Sequence, residues 1–187
     1  MLMADDLNVL VVDDESGLAD LYAVWLGDDH EVETAYSGQE ALEEVTADTD
    51  IVFLDRRMPQ MSGDEVLTTI RSRDIDCQVV MATGAPPDFD ILDLPFDAYL
   101  SKPVTEDDLT AVIERLHRRS TYDEVLQDYF SLVSRRATLQ AEKQPENLEG
   151  DDEYAALLDQ IETRQKELES LTDQLDEEDF DVFFTEL

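Results

Sequence analysis

The sequence predicts an α/β fold, a five-stranded doubly wound parallel sheet, followed by an α-helical hairpin or coiled-coil module. Two observations predict it. Over residues 1–119, continuous apolar runs of strand length alternate with amphipathic stretches of helical spacing, the pattern of a parallel sheet covered on both faces. Over residues 120–187 the strand-like runs stop, and two long apolar stripes at helical spacing take their place. The two spans, 1–119 and 120–187, are therefore read as two domains.

The elements follow in order. Leu7–Val12 (LNVLVV) is a strand-length apolar run, and Gly17–Leu26 carries apolar residues at 18, 21, 22, 25 and 26, a helical stripe closed by Asp28–Asp29. Val32–Tyr36 alternates like a strand, Gly38–Val45 reads as a helix, and Ile51–Leu54 (IVFL) is a buried strand. Asp64–Arg71 supplies Val66, Leu67 and Ile70 at helical spacing. Val79–Ala82 and Ala98–Leu100 complete the strands, and Glu106–Arg118 is the last helix of the first domain. Between Thr83 and Tyr99, Pro86, Pro87 and Pro95 leave room for at most a short helix. In the second domain one stripe runs from Tyr122 to Leu139, and the Gln144–Asn147 stretch and Gly150 break it. A second stripe runs from Tyr154 to Leu175, with Ile161, Leu168 and Leu175 seven apart as in a coiled-coil seam. The apolar Phe180–Phe184 segment is expected to dock on the protein.

The charge balance bounds the setting. The 187 residues hold 48 acids against 13 bases, a net charge of −35, and only Lys102, Lys143 and Lys166 are lysines. The excess is spread over both domains, with 28 acids and 8 bases before residue 120 and 20 acids and 5 bases after it. Such self-repulsion opposes compaction at ordinary ionic strength, but at molar salt the Debye length falls to about 3 Å. The composition fits a cytoplasmic protein of a salt-accumulating halophile. Apolar content of 42% in periodic runs argues against charge-driven disorder as far as residue 140. The single Cys77 excludes an internal disulfide and lies in an apolar run. No apolar stretch reaches 18 residues and no signal-peptide profile opens the chain, so a membrane partner is not expected.

In open parallel sheets ligands bind beyond the carboxyl ends of the strands. The residues at those ends are Asp13–Asp14, Asp55, Thr83–Gly84 and Ser101–Lys102–Pro103. Three crowded carboxylates repel, and a hard divalent ion relieves the repulsion; a magnesium ion, Mg²⁺, takes one or two carboxylates, waters and a phosphoryl oxygen. A carboxylate in that setting can attack phosphorus and form an aspartyl phosphate. Lys102 would face the developing phosphate charge, and the Thr83 hydroxyl could donate a further hydrogen bond. Lys102–Pro103 suits a constrained, cis peptide. Acid pairs are cheap in this chain: Asp5–Asp6, Asp28–Asp29 and Glu43–Glu44 also occur. Chance does not supply an acid pair, an acid, a hydroxyl and one of three lysines at four strand ends.

The stretches VLVVDDE (9–15), IVFLDRRMPQMSG (51–63), VVMATG (79–84) and AYLSKPV (98–104) resemble the receiver domain of two-component response regulators, a flavodoxin-like fold. The resemblance spans residues 5–119. It implies that Asp55 accepts a phosphoryl group from a sensor histidine kinase, and that Asp14 and Asp55 ligate Mg²⁺ directly. Asp13 would act through water, and the backbone carbonyl of Arg57 would be a further ligand. Lys102 would pair with the phosphoryl group, and Thr83 and Tyr99 would form the switch pair. Taken without the motif, Tyr99 reads as a packed aromatic. Arg57 would border the path of attacking water and tune phosphate lifetime. The reading is of a signalling phosphoprotein in a phosphorelay, with only self-phosphotransfer and autodephosphorylation, and not of an enzyme acting on other substrates.

Residues 120–187 are similar to the HalX domain found after receivers in halophilic archaea, by length, position and the YDEVLQDYFSL helix. The expected output is transcriptional regulation or protein interaction, including a homodimer through the C-terminal helices. Arg118, Arg119, Arg135 and Arg136 could be offered as a DNA patch, but within an acidic domain they are better read as partners for neighbouring acids. Two rival readings are weaker. A haloacid-dehalogenase-like phosphatase needs an acid two residues after the nucleophile, where this chain has Arg57; a degenerate scaffold should have lost Asp14, Asp55 or Lys102.

Overall fold

The computed structural model describes residues 6–84, 94–144, 148 and 150–172. Five strands, β1 (Asn8–Val12), β2 (Glu31–Ala35), β3 (Ile51–Leu54), β4 (Gln78–Thr83) and β5 (Ala98–Ser101), form one parallel sheet in the order β2-β1-β3-β4-β5. Between them lie α1 (Ser16–Leu26), α2 (Gly38–Glu44) and α3 (Gly63–Ser72), and after β5 come α4 (Glu106–Glu142) and α5 (Asp152–Thr172). The chain divides into two compact units between Leu116 and His117, a little ahead of the 119/120 boundary read from the sequence.

Alternation along the strands divides the core of the first unit. Val9, Val11, Ile51, Phe53 and Val80 point to one face, where Ala19, Tyr22 and Leu26 of α1 and Leu109, Ile113 and Leu116 of α4 cover them. Leu10, Val12, Val52, Leu54, Val79 and Met81 point to the other, under Ala41 of α2 and Val66, Leu67 and Ile70 of α3. Each fully buried aliphatic side chain contributes about 1.5–3 kcal/mol, so the strands hold only where both faces are roofed. Cys77 is buried, as its apolar setting implied.

The helix starts are written in the sequence at short range. Ser37, Ser62 and Thr105 each stand three residues before an acid. The Ser37 Oγ accepts from the Glu40 N–H and the Glu40 carboxylate accepts from the Tyr36 N–H at the start of α2. Ser62 and Glu65 form a reciprocal capping box on α3, and Thr105 and Asp108 exchange the same bonds at α4.

One expected boundary is overturned. The last helix of the first domain does not end at Arg118: α4 runs unbroken from Glu106 to Glu142. No Gly or Pro lies between those residues, so nothing in the backbone stops the helix when its apolar face changes position. In the second unit, α5 runs antiparallel to the C-terminal part of α4. The Gln140 side-chain amide donates to the Tyr154 hydroxyl at 2.9 Å, and Arg164 pairs with Asp128 at 3.3 Å. Val125, Leu132, Ile161 and Leu171 are buried along this seam. Leu175, the 180–184 segment, Pro86, Pro87 and residues 145–147 lie outside the described residues. Among the described residues no helix is long and apolar enough to cross a membrane.

Candidate functional site

The sheet register assembles the site. Val12 of β1 lies beside Leu54 of β3, so Asp13 and Asp55 leave the sheet side by side where the strand order reverses. The Asp55 N–H donates to the Val12 carbonyl at 2.8 Å, and the Asp13 N–H to the Ala35 carbonyl at 3.1 Å. On the other side Thr83 of β4 pairs with Ser101 of β5, and the Lys102 N–H donates to the Thr83 carbonyl at 2.9 Å. The Lys102–Pro103 peptide is cis.

The side chains converge. Lys102 Nζ lies 2.6 Å from Asp13 Oδ2 and 3.1 Å from Asp55 Oδ1. Carboxylate oxygens of Asp13, Asp14 and Asp55 all lie within 4.8 Å of one another. Asp13 and Asp55 are buried while Asp14 is exposed, so the cluster opens to solvent on the Asp14 side. Asp13 Oδ1 also accepts from the Glu15 N–H at 3.0 Å, and Asp55 Oδ2 from the Arg57 N–H at 3.2 Å. Burial pushes the Asp55 carboxyl above the ordinary carboxylate range; Lys102 pulls it back and Asp13 adds to the rise. For Lys102 burial works against the charge, but its hydrogen bonds to Asp13 and Asp55 outweigh it and hold the ammonium above the ordinary lysine value. Hard oxygen donors in this number suit a hard cation.

Thr83 is fully buried at the end of β4. Tyr99 is half-buried against the core cluster on the α2 and α3 face, its ring 6.0 Å from that of Phe96 and inclined at 51°. Arg57 reaches Asp55 through its own N–H.

A receiver-domain family model, the response regulator receiver domain, matches residues 9–114, more than half of the chain. The chain belongs to the response regulators. A HalX domain follows at 118–184. Among relatives of this response regulator, a putative transcriptional regulator of Haloferax volcanii is 49% identical over 132 residues, which are 70% of this chain and 23% of the relative. The alkaline phosphatase synthesis transcriptional regulatory protein PhoP of Bacillus subtilis is 32% identical over 60% of this chain and 49% of that protein. The chain thus spans about a quarter of the first and about half of the second. Among solved structures, the signal receiver domain of a putative Luxo repressor protein from Vibrio parahaemolyticus superposes with a TM-score of 0.58 at 26% identity, over 65% of this chain and 97% of that one. A receiver domain protein from Clostridium thermocellum gives 0.55 at 32% identity, over 62% and 97%.

Two features of the response regulator's site, and a third remote from it, escaped the sequence reading. Gly63 allows close approach: a Cβ there would strike the Asp55 carbonyl oxygen and lie 2.9 Å from Arg56 Cα. The Gly63 N–H donates to the Arg56 carbonyl at 2.9 Å, and Arg56 pairs with Asp64 at 3.0 Å, which fixes the chain after Asp55 to the start of α3. Tyr22 of α1, fully buried, is held above the ordinary tyrosine range by burial and lies within the fields of Lys102, Asp13 and Asp55. Arg71 is a clamp at the opposite end of the sheet. It donates to the Cys77 carbonyl at 2.7 Å and the Pro95 carbonyl at 3.1 Å, and pairs with Asp97 at 2.7 Å. The Glu65 and Asp108 cap motifs were readable; the Arg71 partners, up to 26 residues away, were not.

Proposed function

We propose that this response regulator is a phosphorylation switch whose phosphoacceptor is Asp55. The single observation that carries the reading is the triad of Asp55, Asp13 and Lys102 at strand ends, with Lys102 Nζ 2.6 and 3.1 Å from the two buried carboxylates. Asp55 attacks phosphorus through a carboxylate oxygen; the new O–P bond forms as the bond from phosphorus to the donor histidine nitrogen of a sensor kinase breaks. Lys102 turns its ammonium from Asp55 to the incoming phosphoryl oxygens, and the Arg57 N–H steadies the oxygen that does not react. Asp13, Asp14 and Asp55, with the Arg57 carbonyl, are the groups that would hold Mg²⁺, which would supply positive charge to offset the crowded negative charge of the site. Thr83, at the end of the strand beside Lys102, follows the phosphoryl group, and Tyr99 responds through its packing.

The chemistry is limited to self-phosphotransfer and autodephosphorylation, with no second substrate turned over. The output runs through the HalX helices to transcription or to protein partners in the cytoplasm, as the transcriptional-regulator names of the relatives suggest. Beryllofluoride, which mimics a phosphoryl group on a carboxylate, tests the reading. With Mg²⁺ in molar KCl it should raise the unfolding temperature of the wild type, by an amount equivalent to about 2.7 kcal/mol at a hundredfold excess over its dissociation constant. The Asp55→Asn variant should not respond. Equal stabilisation of both would remove Asp55 from the role.

A further inference from the structure

The helical hairpin of the second unit has two unlike flanks. Its seam takes Val125, Leu132 and Leu139 from α4 and Ile161, Leu168 and Leu171 from α5. On one side of the seam lies a polar groove of about 480 Å³ lined by Asp128, Ser131, Arg135, Gln160, Thr163 and Arg164. On the other side of α4 stand Leu126, Phe130, Val133 and Ala137, spaced i, i+4, i+7 and i+11, a second apolar stripe down the same helix. Phe130 is 59% exposed, and Leu158 of α5, which lines a groove with Gln140 and Tyr154, is 39% exposed. The charged residues between 126 and 141 are Asp128 and Arg135, which line the groove, and Arg136, which falls at helical spacing between the seam residues Leu132 and Leu139. From Leu126 to Ala137 this stripe is thus free of charge over about three turns, with Asp123 at its N-terminal end, in a chain with 48 acids.

We propose that this stripe is a homodimer face, covered by the same stripe of a second copy of the chain. A two-fold contact sets a surface against itself. On most of this molecule that would press carboxylates together, and burying them unpaired costs several kcal/mol each through lost hydration, which salt screening does not return. The Leu126–Ala137 stripe meets its copy with no carboxylate to desolvate, so it is the flank that an acidic chain can offer to itself. Two hairpins joined there close a four-helix arrangement, and they complete the burial of a second apolar row, in which a two-helix hairpin, small for a self-sufficient core, leaves Leu126 and Val133 half-buried and Phe130 and Ala137 exposed. The inference rests on the tail as an interaction module and is independent of the Asp55 chemistry.

Sedimentation equilibrium of the full chain in molar KCl with Mg²⁺, at micromolar to sub-millimolar concentration, tests it. The wild type should run at twice the chain mass. Phe130→Glu should weaken association at least about tenfold while keeping the helical circular dichroism and the beryllofluoride response, and Ala137→Glu should do the same. Thr163→Glu, in the polar groove, should dimerise like the wild type. Loss of the beryllofluoride response with the dimer intact would count against the Asp55 reading and leave this one standing. A wild type monomeric throughout, or a Phe130→Glu variant that dimerises normally, would overturn the proposal. So would a chain ending at Thr172 that dimerises where the full chain does not, because the chain's own end would then be the occupant.

Discussion

Gly63→Ala is the substitution whose effect the structure defines most closely. Gly63 opens α3 directly behind the Asp55 loop, and its ordinary backbone geometry makes the question one of space alone. An added Cβ would collide with the Asp55 carbonyl oxygen and lie 2.9 Å from Arg56 Cα and 3.1 Å from the Asp55 carbonyl carbon. Carbon atoms in good contact stand about 3.5–4.0 Å apart, so the loop or the helix start must retreat by roughly half an ångström or more. All three obstructing atoms are backbone, and no side chain can swing aside. Overpacking of this kind typically costs about 1–3 kcal/mol, which for a domain of this size lowers the unfolding temperature by roughly 4 °C per kcal/mol. The retreat also displaces Asp55 from Lys102, so phosphoryl transfer should slow along with the loss of stability. Thermal unfolding by circular dichroism in molar KCl, with acetyl phosphate labelling on the same samples, reads both. A variant within about 0.5 kcal/mol of wild type, the scatter of neutral surface changes, with unaltered labelling would refute the steric argument.

Two further outcomes follow from the same contacts. Asp55 has a carboxyl held above its ordinary value in the fold by burial, so the unfolded chain gives up that proton first; stability is lost as pH rises from the ordinary carboxylate range through the folded value, and stays lost above it. Asp55→Asn should therefore unfold at a higher temperature than wild type near pH 7, and the gain should vanish below the ordinary carboxylate range; a gain that is flat with pH would refute it. Arg71→Gln removes the ion pair to Asp97 and the bond to the Cys77 carbonyl, and should destabilise by about 1–3 kcal/mol in denaturant titration. Labelling at Asp55 should be unchanged, because the clamp lies at the other end of the strands.

The site was legible because its residues sit at the ends of apolar runs, and a run announces its own end. Asp13, Asp55, Thr83 and Lys102 each follow or close such a run, and β1, β3, β4 and β5 lie within a residue of the expected bounds. What joins them was not local. Lys102 reaches Asp13 across 89 positions, and only the Val12–Leu54 register makes neighbours of Asp13 and Asp55. That Asp13 is buried and Asp14 exposed is likewise set by the sheet, since the two are identical letters in the sequence. The α4 helix failed for the opposite reason: its apolar stripe shifts face near residue 120, and a change of burial pattern was taken for a change of element although no helix breaker stands there.

The central claim is that the covalent phosphoryl group resides on Asp55. Reduction of the acetyl-phosphate-treated protein with borohydride converts an aspartyl phosphate to homoserine, which peptide mass spectrometry locates. The account predicts homoserine at position 55, dependent on Mg²⁺ during labelling. Homoserine at position 13 or 14 instead, or at no position under conditions that leave the protein folded, would contradict it.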